Sequence, residues 1–158
     1  MATVLKNLSE FNINDIPNAE DKHFGIVVSE WNSTITNALL QGAIDTLISA
    51  GASDEQIIIK SVPGTFELAY GAQHMFETLE VDAVICLGCV IQGETRHFDF
   101  ICDATANGIM RVSLDYSAPV IFGVLTTDNL QQAIDRSGGK HGNKGVEAAV
   151  TALKMLNL

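Results

Sequence analysis

The amino-acid sequence predicts an α/β fold, a three-layer α/β/α sandwich around a mainly parallel, four-stranded sheet. Two observations indicate this class. Four short apolar runs, rich in β-branched residues, alternate with longer segments in which apolar residues recur at helical spacing. The runs show no polar face, which is typical of parallel strands covered by helices on both sides. The predicted strands span residues 24–29, 56–62, 83–91 and 119–126.

The predicted helices follow these strands in turn. The first opens at Asn32 or Ser33, either of which can cap a helix, and it stops at Gly51. Its apolar residues form one stripe, which we expect to pack on the sheet. The residues of this stripe are Ile35, Ala38, Leu39 and Leu47. The other predicted helices span 66–79, 98–116, 130–137 and 144–156, with three glycines between the last two.

Length and composition predict one domain that associates with copies of itself. The chain of 158 residues suits a single α/β domain at 23–158, preceded by a polar N-terminal arm at 1–22. Hydrophobic residues make up 47% of the chain, and the mean hydropathy is +0.22. Because large apolar patches rarely stay exposed on a protein surface, we expect a homo-oligomer.

Charge and cysteine content disfavour several kinds of partner and one kind of metal site. The formal net charge of −10 disfavours nucleic acids and anionic membranes as partners, since both attract basic surfaces. The sequence shows no secretory signal and no membrane-length apolar stretch, and three cysteines fit a reducing compartment, so we expect a cytoplasmic protein. Cys86 and Cys89 form a Cys-x-x-Cys pair, but positions three apart on a strand point to opposite faces and cannot share a metal.

A glycine-containing loop after the third predicted strand carries the first candidate site. Residues 93–97 include Glu94, Thr95 and His97. Backbone donors and a hydroxyl at the end of a strand suit an anion, and an imidazole exchanges protons near neutral pH. His97 is either a proton carrier or an ordinary loop histidine, and its neighbours favour the first interpretation.

Two further strand ends carry candidate residues. Trp31 follows the first strand and is either a core residue or a platform for a planar ring. Glu67 follows Pro63-Gly64-Thr65-Phe66 and either contacts a ligand or supplies negative charge at the start of a helix. Loops that follow parallel strands meet at one edge of the sheet. We therefore expect both residues to lie near His97 and near the fourth loop, 126–128.

The basic, glycine-rich segment 137–145 is open to two interpretations. It contains Lys140 and Lys144 and directly follows Arg136. The segment follows a predicted helix instead of a strand and lacks a Gly-Lys-Ser/Thr ending, which excludes a Walker motif. It is either a solvated connection between helices or a contact for a ligand phosphate or another subunit.

Four motifs, in the same order and at compatible spacing, make the chain resemble the 6,7-dimethyl-8-ribityllumazine synthase family. The motifs are VPGTFE at 62–67, GCVIQGETRHFD at 88–99, LTTD at 125–128 and GNKG at 142–145. The resemblance runs from about Phe24 to the C-terminus and implies a flavodoxin-like fold. It also implies a transferase that condenses 5-amino-6-(D-ribitylamino)uracil with 3,4-dihydroxy-2-butanone 4-phosphate. The products would be the lumazine, phosphate and water, in the penultimate step of riboflavin biosynthesis, and no cofactor or metal is implied.

The resemblance implies a role for each matching residue. His97 would shuttle protons as the catalytic residue, Trp31 would stack on the uracil ring, and Arg136 would grip the phosphate together with the 94–95 loop. The residues that would come from the adjacent subunit are Phe122, Arg136 and Lys144. The other substrate-binding residues that the resemblance implies would come from the same subunit as His97. They are Trp31, Asn32, Gly64, Thr65, Phe66, Glu67, Val90, Ile91, Glu94 and Thr95.

The resemblance also implies an assembly. Family members form pentamers, and the compact 137–145 segment and the N-terminal arm, long enough to add a strand to a neighbour, favour a sixty-subunit icosahedral shell. A contact with riboflavin synthase is a further expectation. Gln92 stands where many relatives have Lys or Arg, and Trp31 where many have Phe, which leaves substrate affinity open. The alternatives are an archaeal-type riboflavin synthase and a non-catalytic flavin- or lumazine-binding protein.

Overall fold

The computed structural model describes residues 11–12 and 15–158 and contains a four-stranded sheet. The strands are β1 (Phe24–Ser29), β2 (Ile57–Val62), β3 (Ala83–Ile91) and β4 (Val120–Thr127). They lie in the order β2-β1-β3-β4, and every neighbouring pair is parallel. The predicted parallel sheet is confirmed.

Helices cover both faces of this sheet. They are α1 (Ser33–Ser49), α2 (Leu68–Thr78), α3 (His97–Tyr116), α4 (Leu130–Asp135) and α5 (Lys144–Met155). Ile26 and Val28 of β1 belong to a buried cluster with α1 and α5, whereas Val27 belongs to a second cluster with α2 and α3. Successive residues of a strand face opposite sides, so each strand contributes to both cores. The predicted three-layer α/β/α class is therefore confirmed.

The two strand cysteines follow the same alternation. Cys86 lies in the cluster under α2 and α3, and Cys89 lies in the cluster under α1 and α5. The prediction that they point to opposite faces is confirmed. No helix among residues 11–12 and 15–158 combines the length and apolar content that a membrane span requires.

The structure corrects three sequence predictions about local elements. Asn32 takes the N-cap position of α1, but its side chain makes no capping bond, and its backbone is left-handed at φ 59°. The helix predicted at 66–79 begins as a 3₁₀ turn, Thr65–Glu67, before α2. The helix predicted at 130–137 ends at Asp135, because Ser137 enters a strand.

The glycine-rich segment forms an antiparallel ribbon that the sequence analysis did not predict. Its strands are β5 (Ser137–Gly139) and β6 (Gly142–Asn143). Gly138 and Gly142 have φ of 123° and 80°, backbone conformations that residues other than glycine rarely adopt. Strands of two or three residues are too short to produce a period in the sequence, which explains why this ribbon was missed.

The predicted N-terminal arm, residues 1–22, falls largely outside the described residues. In the described part, Ala19 is buried, and its N–H donates to the carbonyl of Ala50 at 2.9 Å. Gln56 donates through its side chain to the carbonyls of Glu20 and Lys22 at 2.6 and 3.0 Å. The end of the arm is thus attached to the loops at the amino end of β2. The arm's addition to a neighbour's sheet stays a prediction.

Candidate active site

The strand order opens a crevice at the carboxyl edge of the sheet. After β1, the chain continues to β2 on one side of β1, whereas β3 lies on the other side of β1. Loops that diverge in this way leave a ligand-sized gap at the strand ends. A cavity of about 780 Å³, the central cavity, lies there. Its lining is Trp31, Asn32, Gly64, Thr65, Phe66, Glu67, Cys89, Val90, Ile91, His97 and Ile101.

Trp31 forms an exposed wall of the central cavity. The residue is 73% exposed, which excludes a role as a core residue. Its N–H donates to the carbonyl of Pro63 at 3.2 Å, so the loop after β1 is attached to the end of β2. A Cβ at Gly64 would lie 3.7 Å from Trp31 Cδ1 and 3.0 Å from Glu67 Oε2. The glycine therefore leaves space between the indole and the carboxylate.

The turn that carries Thr65 is packed tightly between β3 and α3. A Cβ at Gly88 would lie 2.8 Å from Thr65 Oγ1 and 2.9 Å from Leu68 Cδ1, so only glycine fits there without a shift of the turn. The hydroxyl of Thr105, a buried residue of α3, donates to the carbonyl of Thr65 at 3.4 Å. These contacts give the backbone of 64–67 a fixed place against the sheet.

His97 begins α3 at the rim of the central cavity. Its N–H donates to Thr95 Oγ1 at 3.4 Å, and the side chains of Arg96 and Asp99 form an exposed ion pair at 3.6 Å. A Cβ at Gly93 would meet no atom within 4 Å, so the loop before the helix borders open space. The first N–H groups of a helix lack helical partners and favour anions. The structure thus places the 93–97 loop at a helix N-terminus beside His97, while Glu94 and Thr95 do not line the central cavity, and the anion-binding role of the loop stays a prediction.

Two residues of the lining were not selected from the sequence. Ile101 lies one turn after His97 in α3. A predicted helix that began at 97 instead of 98 would have placed Ile101 beside His97. Cys89 lies at the carboxyl end of β3, next to Val90. Burial raises the pKa of the Cys89 thiol to about 11, so the side chain stays neutral near pH 7 and forms part of the wall.

A second, smaller cavity holds the basic residues. It measures about 360 Å³, and we call it the basic cavity. Lys144 Nζ pairs with Glu147 Oε2 at 3.0 Å, and the Lys144 N–H donates to the carbonyl of Arg136 at 2.9 Å. The residues that line it are Val124, Leu125, Thr126, Thr127, Gln132, Arg136, Lys144 and Glu147.

The ribbon beside the basic cavity is fixed by Asn143. Its side-chain oxygen accepts from the N–H groups of Gly145 and Val146 and so caps α5. Its amide Nδ2 donates to the carbonyl of Ala38, in the second turn of α1, at 2.9 Å. A Cβ at Gly145 would overlap the carbonyl oxygen of Leu39. The segment that carries Arg136 and Lys144 is therefore tied directly to α1.

The structure brings together only part of the predicted site. Nine of the predicted residues line the central cavity, but Arg136 and Lys144 line the basic cavity. Phe122 lies half-exposed on β4 and lines neither of these two cavities. This division within one chain agrees with the expectation that the last three residues serve an adjacent subunit, which stays a prediction.

The fold and the central cavity define an α/β/α protein with a cavity at the switch point of its sheet, lined by an indole, a carboxylate and an imidazole. The chain belongs to the 6,7-dimethyl-8-ribityllumazine synthase family, whose profile matches residues 21–158. The resemblance found in the sequence is therefore confirmed.

Relatives with this name match almost the whole chain. The 6,7-dimethyl-8-ribityllumazine synthase of Cytophaga hutchinsonii is 60% identical over 99% of this chain and 98% of its own length. Those of Parabacteroides distasonis and Flavobacterium johnsoniae are 54% and 59% identical, over 99% and 98% of this chain. The matches cover 98% and 82% of the lengths of these two relatives.

Proposed function

We propose that the protein is a transferase that condenses 5-amino-6-(D-ribitylamino)uracil with 3,4-dihydroxy-2-butanone 4-phosphate to give 6,7-dimethyl-8-ribityllumazine, phosphate and water. This is the penultimate step of riboflavin biosynthesis. Family membership over residues 21–158 supports the reaction. The observation that carries the proposal is that Trp31, Glu67 and His97 line one cavity in a chain of this family.

The central cavity would take the ring substrate. The exposed indole of Trp31 offers a flat surface on which a pyrimidine can stack. Val90 and Ile91, both half-buried, lie at the end of β3 and would face the ring edge. The backbone N–H groups of 64–66 would donate to the ring, and the carboxylate of Glu67 would accept from the ribityl hydroxyls.

The phosphorylated substrate would bind at the start of α3. Glu94 and Thr95 precede the N-terminus of that helix, whose dipole favours an anion. Arg136 of the adjacent subunit would add a cation there, since guanidinium binds phosphate through paired hydrogen bonds. Phe122 and Lys144 of the same neighbour would close the site. The net charge of −10 makes such local cations necessary for holding an anionic substrate.

The reaction then needs positioning and proton transfer. The 5-amino group attacks the ketone, and loss of water gives an imine. Removal of a proton beside the imine forms an enol and expels phosphate; after tautomerisation, the ribitylamino nitrogen attacks the new carbonyl, and a second loss of water closes the ring. His97 would take and return protons in these steps, with an effect of ~10²–10⁴-fold. Holding both reactants in register supplies much of the remaining rate.

We further propose a pentamer that assembles into an icosahedral shell of sixty subunits. Exposed large apolar side chains support association, because such side chains are often covered by a partner when they form patches. Examples on α3 are Phe100, Met110 and Leu114. Light scattering tests this proposal, and a particle the size of an isolated pentamer would reject the shell. The contact with riboflavin synthase and the cytoplasmic location stay predictions.

One assay tests the reaction. The protein is incubated with the uracil and the butanone phosphate, and fluorescence of the lumazine is followed together with released phosphate. We expect equal amounts of both products, and neither product when one substrate is omitted. Binding of the lumazine without its formation would instead indicate a non-catalytic binding protein. Conversion of added lumazine to riboflavin would indicate a riboflavin synthase.

A further inference from the structure

Asn32 has an unusual conformation for the residue that precedes a helix. Its φ and ψ are 59° and 44°, in the left-handed region that asparagine tolerates better than most residues. Its carbonyl accepts from the N–H groups of Ile35 and Thr36 at 2.8 and 3.0 Å and so starts α1. Its side chain makes no bond to that helix. The side chain is therefore available for a different task.

The amide of Asn32 joins two strand ends. Its Nδ2 donates to the carbonyl of Cys89 at 2.9 Å, across 57 residues of sequence. On the other side, the N–H groups of Glu30 and Trp31 donate to the carbonyls of Val62 and Pro63. Because β1 lies between β2 and β3, the segment 30–32 is attached to both neighbours of its own strand.

Trp31 lies between these two attachments. Its side chain is 73% exposed, so contacts of the indole with a core do not hold it in place. The backbone bonds of 30–31 to the end of β2 fix one side of the loop. On the other side, the loop is held by the start of α1 and by the bond from the Asn32 amide to Cys89.

We infer that Asn32 is a positioning residue that acts on the ring substrate through Trp31. Its left-handed backbone turns the chain from β1 into α1, and its amide holds the Trp31 loop against the end of β3, where Cys89, Val90 and Ile91 form the opposite wall. This inference rests on the proposed function and adds to it, because the resemblance implies only a direct contact between Asn32 and substrate.

Two substitutions separate the backbone conformation from the amide bond. Asn32→Gly keeps the left-handed conformation and removes the donor. Asn32→Asp keeps the shape, tolerates the conformation and places a carboxylate oxygen against the carbonyl of Cys89. Both variants lose the bond to β3, so both should release Trp31. Asn157→Asp is a matched control, because the Asn157 amide also donates to a carbonyl, that of Leu153, at 2.8 Å in a half-buried place.

The first readout is the fluorescence of the ligand-free protein. Trp31 is the single tryptophan of the chain, so its emission and anisotropy report this loop alone. We expect both Asn32 variants to lower the anisotropy, because the exposed indole gains freedom of motion, and Asn157→Asp to leave it unchanged. Wild-type anisotropy in both Asn32 variants would overturn the inference, even if KM rises, because Asn32 would then act only on substrate. If Asn32→Asp does not fold, Asn32→Gly decides.

The second readout is kinetic. We expect both variants to raise KM for the uracil about five- to tenfold, with a smaller effect on kcat, as for the loss of one hydrogen bond. When Trp31→Ala is already present, adding Asn32→Gly or Asn32→Asp should change KM for the uracil little, because the indole that Asn32 would position is absent. Additive effects of the two changes would contradict the inference. A wild-type protein that makes no lumazine would refute the proposed function, while the fluorescence of the ligand-free variants would still test the positioning of Trp31.

Discussion

The central cavity and the basic cavity are lined by different kinds of side chains within one chain. The central cavity lies at the ends of β1 to β3 and combines an aromatic wall, aliphatic side chains and His97. The basic cavity lies beside β4, α4 and α5 and contains Arg136 and Lys144. Under the proposed function, the central cavity would take the planar ring and the basic cavity would supply cations for the phosphate. Within one subunit these groups lie in separate cavities, and we propose that a neighbouring copy supplies the second set.

Loss of the imidazole in the central cavity should have the largest effect. We expect His97→Ala to slow turnover by roughly 10²–10⁴-fold without abolishing it, because positioning of the two substrates remains. Steady-state lumazine formation measures this. His23→Ala is the control, since His23 pairs with Asp82 at the opposite edge of the sheet and should keep wild-type activity. A wild-type rate in His97→Ala would remove His97 from the mechanism.

Mixing two impaired variants tests whether the two cavities belong to one shared site. Arg136→Ala should lower kcat/KM for the butanone phosphate about ten- to hundredfold, as for the loss of a charge-assisted hydrogen bond. When His97→Ala and Arg136→Ala subunits are unfolded and reassembled together, about a quarter of the sites should regain both groups. Activity that never exceeds the sum of the separate variants would show that each chain completes its own site.

The carboxylate of the central cavity should affect the ring substrate alone. Glu67→Gln keeps the size of the side chain but weakens its hydrogen bonds to the ribityl hydroxyls, so we expect about a tenfold higher KM for the uracil. KM for the butanone phosphate should stay within twofold or so. Glu55→Gln, in an exposed turn at the amino end of β2, serves as the matched control. A larger rise in KM for the butanone phosphate than in KM for the uracil would contradict the assignment of Glu67 to the ring substrate.

The smallest expected effect concerns stability at alkaline pH. Burial raises the pKa of the Cys89 thiol from 9.0 to about 11, so between these values the unfolded chain loses this proton while the folded chain keeps it. The free energy of unfolding should therefore fall as pH rises from about 9 to about 11. Urea denaturation at several pH values measures this decline. Burial also raises the pKa of the Cys86 thiol, so Cys89→Ala should make the decline less steep without removing it. A decline as steep as in the wild type would show that Cys89 does not contribute to it.

Local patterns in the sequence identified most of the elements that place the central cavity. The long apolar runs of β1 and β3 have the predicted bounds, since both strands are buried on both faces. The strand order could not be predicted, because periodicity within a run does not say which runs pair. The bond from Asn32 to Cys89 spans 57 residues and depends on that order. Local rules assigned Asn32 to a cap instead.

The basic cavity was harder to predict than the central cavity for a related reason. Its residues were recognised as a cationic cluster, but the choice between a solvated connection and a ligand contact stayed open. The β5–β6 ribbon depends on the bond from Asn143 to Ala38, which lies 105 residues away in sequence. Such distant pairings carry no local signal. The resemblance supplied the subunit assignment, and the mixing experiment is needed to test it.

The tie between Asn143 and Ala38 has a consequence for the protein as an assembly. Helix α1 begins directly after the segment that bears Trp31, and its second turn holds the ribbon that lies between Arg136 and Lys144. In the proposed assembly, each subunit would present Trp31 to one active site and its cations to the next, with both groups attached to the first two turns of the same helix. The spacing of neighbouring reaction centres around a ring would then depend on this short, rigid stretch of α1.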